Sequence, residues 1–188
     1  MLNSLISLNN LYHSVPSKII FEENNKVISV KMFAEEVASY IEKYQDHNKV
    51  IGILSDNGYR SAAAECGISA TKSVLVSLPK FFSDEQLKEI IKDSNIELIY
   101  SDENNFKRAK SLFNNVSLFL GNTCELKLPK DNQHKRIIYT SGTTGKPKGV
   151  IQTCSQINFI TQQLIDTFNI DESDKYFSLL PQSTLLEQ

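Results

Sequence analysis

Between Thr140 and Gly149 the sequence packs four hydroxyl side chains, three glycines and two lysines into ten residues, T-S-G-T-T-G-K-P-K-G. Glycine reaches backbone angles that other residues avoid and lets the main chain approach a ligand closely. Successive N–H groups in such a stretch can point into one concavity and form an anion-binding nest. The hydroxyls of Thr140, Ser141, Thr143 and Thr144 add donors, and Lys146 and Lys148 add positive charge. A polyphosphate is the guest that suits this chemistry. A Walker loop, GxxxxGK[ST] opening into a helix, is a different pattern. Here Gly142 and Gly145 are three residues apart, and Pro147 pushes Lys146 out of helical geometry. Phosphate would be held without a helix dipole behind it, so kinase-like and GTPase-like readings lose their main support. A plain hairpin turn is the bland alternative, and it leaves the order of hydroxyls, lysines and proline unexplained.

Two strands must hold such a loop: an apolar one before it, RIIYTS, and a short one after it, ending near Thr153. From about Cys154 to Phe168 a helical pattern follows, with Ile157, Ile160, Leu164, Ile165 and Phe168 as apolar positions, and KYFSLL then reads as a strand stopped by Pro181. Upstream, KIIFEE and KVISV flank Asn24 and Asn25 as a hairpin, and Phe33, Val37, Tyr40, Ile41 and Tyr44 share one helical face. KVIGIL, SVLVSLP, IELIYS and VSLFLG read as strands, separated by an Ala-rich helix to about Thr71, a helix behind Ser83 and Gln86 at capping-box spacing, and a short helix over NNFKRAKSLF. Leu87, Ile90 and Ile91 form the apolar stripe of the second of these. After Gly121 the texture is polar, Lys-rich and contains Pro129, which predicts an exposed connection into RIIYTS. This rhythm predicts an α/β fold, a largely parallel sheet with flanking helices, as one domain over residues 1–188.

Composition narrows the partners. Hydrophobic residues make up 40% and charged residues 22%, which is ordinary globular usage. The net charge of −2 comes from 20 basic and 22 acidic residues with no block of one sign, so no footprint for nucleic acid or an anionic membrane is present. Any anion must be held by a local site. Cys66, Cys124 and Cys154 form neither a disulfide framework nor a zinc pattern. The first fifteen residues lack the features of a signal peptide, and no apolar run reaches the ~18 to 20 residues that span a bilayer. A cytoplasmic protein with no integral membrane association is the expectation. His13, His47 and His134 read as surface residues, and Glu22 with Glu23 and Asp102 with Glu103 as solvated loop acids.

The stretch YTSGTTGKPKG resembles the signature loop of the adenylate-forming superfamily, which includes acyl-CoA synthetases, luciferases and peptide-synthetase adenylation domains. The resemblance implies a loop that embraces the β- and γ-phosphates of ATP while a carboxylate attacks the α-phosphorus. An acyl-adenylate and pyrophosphate result, and a thiol of CoA or of a carrier protein then takes the acyl group. Carried over by position, Thr140, Ser141, Gly142, Thr143, Thr144 and Gly145 form the cradle and Lys148 is its charged partner, with Lys146 facing solvent. ATP and Mg²⁺ are the implied cofactors. Upstream, KVIGILSDNGYRSAAAECGISATKSVLVSLP and SDEQLKEIIKDSNIELIYSD resemble the region that precedes the loop in these enzymes. LLPQSTLLEQ resembles the segment bearing part of an acyl and nucleotide wall, which places Ser183 and Thr184 there. The LPxSTLLE pattern is similar to fatty-acyl-type synthetases and favours a lipid-like acid.

Two positions depart from the family. Cys154 follows Thr153 where many members carry His, and it reads as a small residue at a helix start rather than a nucleophile. Ser183 and Thr184 stand where many have His or an aromatic. The family's adenine-side aromatic, ribose-binding Asp, hinge and C-terminal-domain Lys have no positions in the 188 residues. The resemblance therefore covers the front portion of the large N-terminal domain, and the chain alone is expected to be inactive, since catalysis needs several pre-placed groups. Two rival expectations come from other classes. One is a non-catalytic phosphate- or nucleotide-binding module, or half of a split synthetase. The other is a structural α/β domain that self-associates through exposed strand edges.

Overall fold

A computed structural model describes residues 2–23, 25–121, 124–127, 135–141, 146–171, 173–178 and 180. The chain opens with α1 (Leu2–Ser14), an element absent from the sequence reading, which lays Leu5, Leu8 and the partly buried Leu11 and Tyr12 against the core at helical spacing. The expected hairpin follows as β1 (Ile19–Glu23) and β2 (Lys26–Ser29), paired antiparallel, with Asn25 at φ 63°, a left-handed turn conformation that Asn tolerates. Val30 belongs to the next helix rather than to the strand. The Ser29 side chain accepts from the Met32 amide at 3.3 Å and so starts α2 (Val30–Tyr44). Phe33, Val37, Tyr40, Ile41 and Tyr44 are all buried, as their spacing predicts.

The main sheet is built from the middle outward. Its strands are β3 (Val50–Leu54), β4 (Val74–Ser77), β5 (Leu98–Ser101), β6 (Val116–Leu118), β7 (Lys135–Ser141) and β8 (Pro147–Thr153), in the order β6-β5-β3-β4-β7-β8. All neighbours run parallel except β7 and β8, which form an antiparallel hairpin at one edge. The parallel pairs need crossover connections. These are α3 (Tyr59–Ser69), α4 (Asp84–Asp93) and α5 (Glu103–Leu112).

Alternation along β3 sorts the layers. Ile51 and Ile53 join Tyr40, Tyr44, Ala64 and Ile68 on the face covered by α2 and α3. Leu54 joins Leu87, Ile90, Ile91 and Ala109 on the face covered by α4 and α5. Gly67 lets α2 and α3 touch: a Cβ there would sit 2.6 Å from both Tyr40 Cβ and the Val37 carbonyl oxygen. The predicted capping box is present, with the Ser83 hydroxyl accepting from the Gln86 amide and the Gln86 side chain accepting from the Ser83 amide.

Two expectations are corrected. The connection after Gly121 is not simply exposed, because Leu126 returns to the α2 side of the core at 4% exposure, beside the half-buried Cys124. The stretch expected as a strand, 175–180, forms none over its described residues, and Tyr176 and Phe177 are 78% exposed. Strand composition alone does not make a strand without a neighbour to pair with. The helix predicted from Cys154 is present as α6 (Cys154–Phe168), but none of its described side chains is buried.

Candidate functional site

The loop's frame is the β7–β8 hairpin. Seven residue pairs run from Lys135 opposite Thr153 to Ser141 opposite Pro147. Proline has no amide to give a ladder, so β8 begins at a position where proline is tolerated. On the other side, β7 pairs with β4 only as far as Ser77 opposite Ile138. Tyr139, Thr140 and Ser141 therefore project past β4, roughly 10 Å at the usual rise per residue.

Two contacts stiffen this overhang. The Tyr139 hydroxyl donates to the Asp93 carboxylate at the end of α4, and burial, followed by that acceptor, pushes the phenol well above its ordinary pKa, so it stays a neutral donor. Gly149, directly opposite, leaves room for the same ring: a Cβ there would lie 3.1 Å from Tyr139 Cζ and 3.1 Å from Ile137 Cγ2. Lower down β7, Arg136 is 3% exposed and ion-paired to Glu65 on α3, with Ser77 Oγ at 3.4 Å from Nη2. Burial pushes the Glu65 carboxyl up in pKa against the downward pull of Arg136.

Of the residues predicted to hold phosphate, Thr140, Ser141 and Lys148 are brought together at the open end of this hairpin, and all three are exposed. Thr140 and Lys148 are cross-strand partners, so their Cβ atoms lie on one face within ~5 Å. Both strand ends stand within the ladder up to Ser141 and Pro147. The amides left for a nest are chiefly those of Gly142, Thr143, Thr144 and Gly145, which lie outside the described residues, as do Ser183 and Thr184. Lys146 is exposed and beyond the ladder, so register, not exposure, distinguishes it from Lys148. Cys154 opens α6 behind a capping box made by Thr153 and Gln156.

The C-terminal ends of β3, β4, β5, β6 and β7 all reach the same edge of the sheet, so the hairpin mouth shares that edge with the loops after the other strands. The connection after β3 leads to one side and that after β5 to the other, and such a divergence leaves a crevice in open α/β sheets. A cavity of about 460 Å³ lies there, lined among others by Asp56, Asn57, Arg60, Asp102, Asn104 and Phe119. Among the described residues of the loop, none of Thr140, Ser141, Lys146 and Lys148 lines it.

Of the acids read as solvated, Glu22 and Glu103 are exposed, whereas Glu23 and Asp102 are half-buried and hold this rim together. Glu23 Oε2 accepts from the first amide of α3, Tyr59, at 2.9 Å. Asp102 is the N-cap of α5: Oδ1 accepts from the Asn105 amide at 2.8 Å, and Oδ2 accepts from the Asp56 amide at 2.7 Å, tying the two loops together. Lys80 and Asn104 both donate to the Asp56 carboxylate, and the Lys80 contact foremost lowers its pKa. The available signal was the position of Asp102, directly before a helix and followed by Glu103 in its first turn. Asn57 donates to Ser178 Oγ at 3.0 Å and to the Leu180 carbonyl at 2.6 Å, which draws the segment leading to Ser183 and Thr184 toward this same edge. His13 and His47 are exposed, as read from the sequence, and His134 lies outside the described residues. Among the described residues no group of three or more His, Cys, Asp or Glu side chains is placed to hold a metal ion.

Comparisons with known proteins agree with this architecture. The chain is 26% identical over 151 residues to the malonate–CoA ligase of Arabidopsis thaliana, covering 70% of this chain and 25% of that protein. To the oxalate–CoA ligase of Saccharomyces cerevisiae it is 25% identical over 183 residues, 86% of this chain and 33% of the relative. It thus spans a quarter to a third of these curated relatives. Among solved structures, o-succinylbenzoate CoA synthetase from Bacillus subtilis in complex with its acyl-adenylate intermediate superposes with a TM-score of 0.78 at 19% identity, over 96% of this chain and 40% of that one. The same enzyme in complex with ATP and magnesium gives 0.74 at 19% identity, over 96% and 52%. These likenesses fix the fold as that of adenylate-forming enzyme N-terminal domains. The loop, the strands that carry it and helices α2 to α6 all fall within residues 29–188, which match the family of AMP-binding enzymes, and the chain belongs to that family.

Proposed function

We propose that this chain contributes the ATP-phosphate loop to an acid–thiol ligase. In the reaction, a carboxylate oxygen attacks the α-phosphorus of ATP, the bond to the β-phosphate breaks, and pyrophosphate leaves. A thiol of CoA or of a carrier protein then displaces AMP from the acyl-adenylate. The observation that supports this reading most directly is the placement of Thr140, Ser141 and Lys148 at the projecting end of one hairpin, in a chain of the AMP-binding family whose relatives are named as CoA ligases. In it, the Thr140 and Ser141 hydroxyls donate to β- and γ-phosphate oxygens, Lys148 neutralises their charge from the facing strand, and Gly142 to Gly145 close the turn around them. Preorganised donors of this kind act without reorganisation cost. Mg²⁺ would supply further charge neutralisation on the polyphosphate. The described residues offer no ligand cluster of their own for it, so no step is assigned to it.

The acid is proposed as a fatty acid on the LPxSTLLE stretch alone, with Ser183 and Thr184 on the pocket wall. The malonate and oxalate in the relatives' names are small dicarboxylates, so a substrate panel must include both kinds. A cytoplasmic location is part of the same reading; no helix among the described residues is long and apolar enough to cross a membrane. A non-catalytic nucleotide-binding module, or half of a split synthetase, is the second reading for a chain that spans a quarter to a third of these relatives.

Calorimetric titration of this chain with Mg·ATP tests the loop assignment. Binding is expected to weaken at least ~10-fold in the Lys148→Ala/Thr143→Ala double variant, about the worth of one charge-assisted hydrogen bond. Equal affinity of the two proteins removes the assignment. Acid-dependent exchange of pyrophosphate into ATP, with CoA release of AMP, separates ligase from module.

A further inference from the structure

Of the asparagines in the sequence, Asn57 alone is followed by glycine. In an Asn-Gly pair the glycine nitrogen reaches the side-chain amide carbon with no side chain in its path. Ring closure forms a bond from that nitrogen to Cγ, expels the side-chain nitrogen as ammonia and leaves a five-membered succinimide. Water then opens the ring, to aspartate through one carbonyl or to isoaspartate through the other. The isoaspartate main chain is one carbon longer.

The fold keeps a glycine at this place. Gly58 is the N-cap of α3 and brings no side chain to cap it. Glu23 reaches across from β1 instead and accepts from the Tyr59 amide at 2.9 Å. A Cβ on residue 58 would stand 3.1 Å from both Glu23 carboxylate oxygens, so a larger residue pushes away the group that closes the helix. The Gly58 amide itself precedes the helix, and among the described residues it donates to no acceptor. Asn57 and Gly58 both line the crevice of about 460 Å³, which brings water to the pair.

The Asn57 side chain holds something in place. Its Nδ2 donates to Ser178 Oγ at 3.0 Å and to the Leu180 carbonyl at 2.6 Å. On the same segment, Lys175 meets Glu22 at 3.3 Å between exposed side chains, a kind of contact worth little.

We propose that Asn57–Gly58 is a self-modifying site, at which deamidation, with water as the one co-reactant, turns the tie to Ser178 and Leu180 into a repulsion. The Ser178 hydroxyl can rotate and donate to a carboxylate at 57. The Leu180 carbonyl cannot, and it is left facing an oxygen with no hydrogen to give. The new charge also stands beside Asp56 and Asp102 on a rim that already carries Glu23. Isoaspartate adds a carbon to the main chain just ahead of α3. While the two bonds are made they restrain the Asn57 amide, so the reaction proceeds when Ser178 and Leu180 have swung off, and each conversion bars their return. The result is a one-way latch, and it stands apart from the loop assignment.

The test ages the folded chain in warm buffer at pH 8. Peptide masses after digestion at acid pH, together with methyl transfer by an isoaspartate-specific methyltransferase, locate the product. Conversion at Asn57 is expected at least ~10-fold faster than at Asn9, Asn104 or Asn114, each of which is followed by asparagine. In the converted fraction, chymotryptic cleavage after Tyr176 and Phe177 should be at least ~5-fold faster than in fresh protein, as local stability there falls. An Asn57→Asp variant that melts as the fresh chain does should be cut at the raised rate from the start. Two results overturn the proposal. One is conversion at Asn57 no faster than at the other asparagines, which means that the fold protects the pair. The other is aged, converted protein cut at the fresh rate, which means that the side chain is no tie; this reading needs no variant to fold.

Discussion

Glu36 is a carboxyl with little to compensate its burial. It sits on α2 at 7% exposure, with Arg60 Nε 3.6 Å from an oxygen that accepts no hydrogen bond among the described residues, and burial pushes its pKa up from 4.5 to about 7 against the pull of Arg60. The folded state therefore keeps a proton that the unfolded chain releases between pH 4.5 and 7, and stability falls as pH rises through that window. Glu36→Gln should remove this slope and stabilise the protein at pH 8 by about 2 kcal/mol, as read from urea melts of both proteins across pH. Arg136 and Glu65 show the opposite economy, each burying a charge against the other. Arg136→Met alone leaves Glu65 uncompensated and should cost about 3 kcal/mol, most of it recovered by adding Glu65→Met. A double-mutant cycle by chemical denaturation measures this, and an additive double variant would discount the pairing. Neither carboxylate was legible from sequence. Glu36 follows Glu35 and Glu65 follows three alanines, and nothing local separates a buried acid from a solvated one. The loop residues were legible because their composition is demanding, whereas their relation to β4 depends on pairings across 61 positions.

At the scale of elements, what could be read followed how local the signal was. The capping box of α4 and the apolar faces of α2 and α4 are written within a few residues, and they formed as spaced. α1 was missed because paired asparagines at 9 and 10 and polar spacers blur its apolar stripe. The strand expected over 175–180 was misread because pairing depends on a neighbour that composition does not reveal. Asp102 joins the local and the non-local: it caps α5 and also holds the loop after β3. Asp102→Ala should cost about 2 kcal/mol, more than the ~1 typical of an N-cap alone, because the Asp56 amide also loses its acceptor. Asp102→Asn, which keeps the capping oxygen, should recover part of it. Thermal denaturation of the two variants distinguishes these contributions, and equal losses would show that the cap carries little of the effect.

For the molecule as a whole, protection is expected to fall from the centre of the sheet to its edge. β3 has strands on both sides and a helical layer on each face, whereas among the described residues α6 packs chiefly on β8. Amides of β3 should therefore exchange at least ~1,000-fold more slowly than those of α6, and hydrogen exchange followed by mass spectrometry reads this directly; uniform protection would mean that the chain opens only globally. The inside-out strand order also has a consequence for synthesis. β4 emerges from the ribosome early, but its outer neighbour arrives only when Lys135 reaches Val74, sixty-one positions later. At usual elongation rates that is roughly 3 to 12 seconds. For that interval Val74–Ser77, a stretch without a single charge, stands as a bare margin of a half-made sheet. A nascent chain with such a margin is the kind of client that holdase chaperones bind, and slowing translation between codons 78 and 134 should raise its loss to aggregation before the hairpin can seal it.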